Sequence, residues 1–139
     1  MQRPVLANIS AIAAAFLAII AVSALWIVNL RMGPRLEGFT GGAMVIMVPV
    51  ALLILTAIWI ILRALFGRQR AIAPWLALAG GAVIGLVAVV ANCGVTACFV
   101  PGSERLAGWF VVGGTGLAAL VHHIVLSRFE RRSVDALQT

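Results

Sequence analysis

The residues of this chain that could do chemistry are few. Cys93 and Cys98 are its only cysteines and lie in NCGVTACFVPGSERLAGW, residues 92–109. His122 and His123 are its only histidines. Its four acids are Glu37, Glu104, Glu130 and Asp135. Two thiolates fall short of the four ligands that a structural zinc wants. The four residues between the cysteines are not a C-x-x-C spacing, and no second pair exists to relay electrons. A disulfide, two packed thiols and a redox or metal role are the three readings. The disulfide Cys93–Cys98 is the expectation. It requires the helix before it to break at Gly94, because residues five apart on a straight helix are too distant to bridge.

Imidazole ligates haem and metals well. Adjacent residues on a helix, however, point about 100° apart. His122 and His123 therefore cannot share one metal along a regular helix, and a bis-histidine haem would need a second subunit. They are expected to be polar residues near a membrane interface, hydrogen-bonded to lipid or to a neighbouring helix. Contact with haem or quinone makes them the only cofactor-binding candidates. The acids all fall near the ends of apolar segments, so no pair of carboxylates is placed for acid–base work. Neither a phosphate loop nor a Ser/His/Asp set can be assembled. The chain is expected to be no enzyme and to carry no cofactor or metal.

The elements that position these residues are apolar. Hydrophobic residues make up 63% of the chain and charged ones 10%, against about 25% charged in a soluble domain. Residues 4–30, 38–62, 71–103 and 106–127 contain no Asp, Glu, Lys or Arg. A helix needs roughly 20 apolar residues to cross a bilayer core. Four such windows predict an all-α integral membrane protein, a four-helix bundle in a single domain over 1–139. The helices are expected at about 4–29, 41–62, 74–92 and 106–127, with Pro4 and Pro74 in first turns that tolerate proline. The first run, with VSA at 22–24, could pass for a secretory signal. It is too long for a signal's apolar core and is read as a retained helix. The tail FERRSVDALQT reads as short and polar.

All ten basic residues are arginine. Arg3, Arg63, Arg68, Arg70, Arg128, Arg131 and Arg132 flank one side of the predicted bundle. Arg31, Arg35 and Arg105 flank the other. The positive-inside rule places the larger set in the cytoplasm. The expectation is a multi-pass protein of a bacterial-type inner membrane, with both termini cytoplasmic and the cysteines outside, where disulfides persist. Trp26 and Trp109 would mark the outer interface and Trp59 and Trp75 the inner one, as an aromatic belt does. Arg63, Arg68, Arg70, Arg128, Arg131 and Arg132 would meet anionic lipid headgroups. That accounts for the net charge of +6 without nucleic acid.

A shift of 70 residues aligns Pro4 with Pro74, Leu6 with Leu76, Ala18 with Ala88 and RLEGF with RLAGW. Two hairpins related by a parallel repeat would give that pattern. Helices in lipid associate through close contact of small residues. Ala77, Gly81 and Gly85 recur every four residues in helix 3, Gly114 and Ala118 in helix 4, and Ala7, Ala11 and Ala15 in helix 1. Helices 1, 3 and 4 are expected to pack closely, within one chain or in a dimer. Helix 2 is bulkier and would face lipid or a partner. Pro49 frees the carbonyl of Val45 mid-helix and predicts a kink there.

RMGPRLEGFTGG followed by an apolar helix and LRALFGR resembles the small membrane subunit of tripartite tricarboxylate transporters, over some 35 residues. A Gly-Pro turn with an aromatic precedes the second helix in that family. Its usual aromatic-Pro step is absent here, since Phe39 is followed by Thr40. The resemblance implies a transport component. No charged residue lies within an apolar window, which disfavours a proton- or ion-coupled carrier. The expected role is a non-enzymatic accessory or scaffold subunit of a larger membrane complex, with other membrane subunits or a second copy as partners in the bilayer. A transport component is the alternative, as a homo-oligomeric pore or a small carrier subunit. A haem- or quinone-associated subunit is a second alternative.

Overall fold

The computed structural model describes residues 2–32, 39–66, 73–97 and 103–135, and side chains over 5–29, 45–66, 73–92 and 107–131. It contains four helices: α1 (Gln2–Met32), α2 (Phe39–Phe66), α3 (Pro74–Ala97) and α4 (Ser103–Asp135). No strand occurs among the described residues. All four are long and apolar enough to cross a membrane, over Val5–Asn29, Val45–Phe66, Pro74–Asn92 and Ala107–Arg131. They make the chain a candidate multi-pass membrane protein.

The helices run past the ends expected of them at 29, 62, 92 and 127. α1 ends just before Gly33-Pro34, and α2 just before Gly67. α3 starts at Pro74, with the carbonyl of Ala73 accepting from the amides of Leu76 (2.9 Å) and Ala77 (3.4 Å). Pro74 has no amide to leave unsatisfied at that position. α4 starts just after Pro101-Gly102 in the sequence and runs past its expected end at Ser127 into the polar tail. Nothing between Leu117 and Asp135 is glycine or proline, and glutamate and arginine are good helix formers.

α3 likewise does not stop at Asn92. The Asn92 amide donates back to the carbonyl of Ala88 at 2.8 Å, so this polar residue is accommodated within the helix. The helix runs through Cys93 and Gly94 to Ala97. The break at Gly94 that a disulfide required is therefore not made. Cys98 and the Cys93 side chain lie outside the described residues.

α4 is the central element. It packs most heavily against α3 and α1 and also touches α2. α2 touches the other three more lightly, and α1 and α3 do not meet among the described residues. The expected closeness of α1, α3 and α4 thus reduces to two interfaces, both on α4. Directions follow from the register. Gly81 faces Thr115 to Ala119 while Gly85 faces Val111 and Val112, so α3 runs antiparallel to α4. Val22 lies at Gly114 and Trp26 stacks on Phe110, so α1 is antiparallel to it as well. Leu52 lies at Gly114 and Arg63 interacts with His122 and Glu130, so α2 runs parallel to α4.

The main core combines Ile19, Val22 and Trp26 of α1, Val48, Leu52 and Leu55 of α2, Val89 of α3, and Val111 and Ala118 of α4. Two of the four tryptophans turn into the bundle. Trp26 is 1% exposed, its ring 5.2 Å from that of Phe110 at a 57° tilt. Trp59 is 9% exposed and packs with Ala77 and Ala119. Burying a large ring between helices outweighs leaving it at the interface wherever a small-residue neighbour makes room. Trp75 and Trp109 remain on the outer surface, at 66% and 56% exposed.

Candidate functional site

The small residues singled out in the sequence take different roles. A Cβ built on Gly81 would lie 2.6 Å from Cβ of Ala119, 2.7 Å from the carbonyl oxygen of Thr115 and 3.0 Å from Cα of Gly116. One on Gly85 would lie 2.9 Å from Cα of Val112 and 3.2 Å from the oxygen of Val111. Ala77, one turn before Gly81, is fully buried. This stripe brings the backbone of α3 against that of α4. Gly116 contributes from the other side, facing the carbonyl of Leu78 and Ala82. The spacing of small residues in α4 did not single out Gly116. Gly114 faces away from α3, towards Leu52 and Val22, and Ala118 is fully buried in the main core. Thr115 stays in this tight seam because its hydroxyl donates to the carbonyl of Val111 at 2.7 Å.

A polar cluster lies between α2 and α4. Thr56, Trp59 and Arg63 are the only side chains from Val45 to Phe66 that can form hydrogen bonds. Their spacing of three and four puts them on one face of α2. Thr56 is 2% exposed and Trp59 9%. Arg63 is half-buried, but its Nε and Nη1 are inaccessible and have no hydrogen-bond partner; the same holds for Thr56 Oγ1 and Trp59 Nε1. Across the seam, His122 and His123 are each 4% exposed. His122 Nδ1 is buried without a hydrogen-bond partner. His122 interacts electrostatically with Arg63 and His123, and Arg63 also with Glu130, two turns further along α4.

Both histidines are buried although they point about 100° apart, because a central helix meets neighbours on several sides. Leaving the polar atoms of Thr56, Trp59, Arg63 and His122 unmatched costs about 1–3 kcal/mol each. Trp59 is held in place by Gly80, where a Cβ would lie 2.7 Å from the ring's Cζ3.

Of the arginines expected to meet headgroups, Arg128 and Arg131 are exposed on α4, whereas Arg63 has Nε and Nη1 buried. Arg68 and Arg70 lie outside the described residues, as does the Arg132 side chain. Pro49 sits half-buried inside α2. Among the described residues, no group of three or more His, Cys, Asp or Glu could hold a metal ion. The α2 half of the cluster went unread because the second apolar window ends at Leu62. The signal was available: three hydrogen-bonding side chains on one face of an otherwise hydrocarbon helix. The chain matches no protein-family model, no curated protein and no solved structure.

Proposed function

We propose that the chain is a non-enzymatic accessory or scaffold subunit of a larger membrane complex. The observation that carries this is the α3–α4 seam, where Gly81, Gly85 and Gly116 let two backbones meet. Such contact makes a stiff support rather than a gate. α2 presents a bulky apolar outer face, with Ile46, Met47, Val50, Ile54, Ile61 and Leu65 all exposed. Lipid or a partner's helix would cover it.

The membrane is proposed to be a bacterial-type inner membrane. Excess arginine at the Arg63 and Arg128 end supports placing that end, and both termini, in the cytoplasm. Gentle extraction followed by native mass measurement tests the role. Stoichiometric co-purification of a second membrane chain is the expected result, and a stable monomer without a partner would overturn it.

The transport reading draws on one feature. Among the described residues α1 and α3 each touch both α2 and α4 and not each other, the pattern that a parallel repeat of one hairpin gives. A symmetric homo-oligomer that conducts solute in vesicles would favour this reading.

A further inference from the structure

We propose that the α2–α4 seam, at the end carrying Arg63, binds the phosphate of one anionic phospholipid, held by Arg63, His122 and Trp59. The inference requires membrane insertion but not the accessory role.

Three arguments support it. The first is the donor set. Arg63 Nε and Nη1 and Trp59 Nε1 can only donate, and all three are buried without a hydrogen-bond partner. His122 Nδ1, in the tautomer carrying its proton there, adds a fourth donor. Trp59 and Arg63 share one face of α2, and Arg63 lies within electrostatic reach of His122; such donors call for an oxygen-rich acceptor, and guanidinium recognises phosphate with charge and direction together.

The second is charge. Arg63, Arg128 and Arg131 outnumber the single acid, Glu130, among the described side chains of this end. An anion is favoured there over a neutral carbonyl compound.

The third is access. Arg63 is half-buried, and Leu62, Ala64, Leu65 and Phe66 around it are exposed. α2 is also the helix least tightly held by its neighbours. Acyl chains can therefore lie along the outer face of α2 while the phosphate enters beside Arg63. Trp59 and His122 close the site from within, and Thr56 lies one turn deeper.

Native mass spectrometry of the whole protein, released from micelles with phosphatidylglycerol or phosphatidylcholine added, tests the proposal. Wild type is expected to retain one phosphatidylglycerol in preference to phosphatidylcholine. Arg63→Gln should weaken that retention about tenfold. Trp59→Phe keeps the ring in place and removes only the N–H, so it guards against a folding artefact. It should weaken retention a few-fold. The pair Arg128→Gln with Arg131→Gln removes exposed charge and should leave the one-lipid stoichiometry intact.

Equal retention of the two lipids would overturn the proposal. So would unchanged retention in both Arg63→Gln and Trp59→Phe, or loss only in the Arg128/Arg131 pair. Displacement of the lipid by inorganic phosphate alone would overturn the assignment to a lipid headgroup.

Discussion

The two faces of α4 that meet α3 and α2 are built on opposite plans. Against α3, contact is made by backbone and Cβ atoms, and the one polar side chain in the seam, Thr115, bonds within its own helix. Against α2, contact is made by large side chains, Leu52 and Trp59, and polar atoms are left facing inwards. Water gives no hydrophobic drive between helices in lipid, so association depends on how closely atoms fit. The α3 seam spends its residues on fit. The α2 seam gives up fit for hydrogen-bonding groups, which is a poor exchange for stability alone and a reasonable one for binding.

The same change, glycine to alanine, should therefore cost according to what the new methyl meets. Gly81→Ala should be the worst, because Ala119 Cβ and the Thr115 carbonyl cannot move without separating the helices. A loss of about 2–3 kcal/mol is expected in unfolding from mixed micelles. Gly80→Ala meets the Trp59 ring, which can tilt, so about 1–2 kcal/mol is expected, with a change in tryptophan emission as the ring shifts. Gly114→Ala meets the ends of Leu52 and Val22, which can change rotamer; a thermal melt should show a loss below about 1 kcal/mol. At Gly113 a new Cβ meets nothing within 4 Å. Gly113→Ala should be neutral or gain up to about 0.5 kcal/mol from helix propensity. A different ranking in one denaturation series would show that the two seams are not built as described.

Much of the fold was readable because lipid imposes one rule, that spans be long, apolar and helical. Windows without charge located all four helices. They misplaced the ends because charge does not terminate a helix: α2 runs through Arg63, and α4 through Arg128, Glu130, Arg131 and Arg132. The stripe Ala77-Gly81-Gly85 was legible for the same reason: small residues at a four-residue period have few uses in lipid. Its target was not legible. Gly114 and Gly116 differ by two positions, about 200° around α4, and only the neighbours decide which of them faces α3. Trp26 and Trp59 turn into the bundle, since an aromatic near a span's end suits an interface and a core equally well. The direction a ring takes depends on what the opposite helix offers, here Phe110 and Gly80.

The closeness of α3 to α4 is best tested by a double-mutant cycle on Gly81 and Ala119, read as unfolding free energies in one micelle system. Gly81→Ala places a methyl where the Ala119 methyl already lies, so removing the latter with Ala119→Gly should return part of the lost stability. The double variant is predicted to be more stable than Gly81→Ala alone, with a coupling energy of at least about 0.5–1 kcal/mol. Strictly additive losses, with the double variant less stable than either single one, would contradict direct contact at Gly81 and with it the α3–α4 seam as the rigid centre of this bundle.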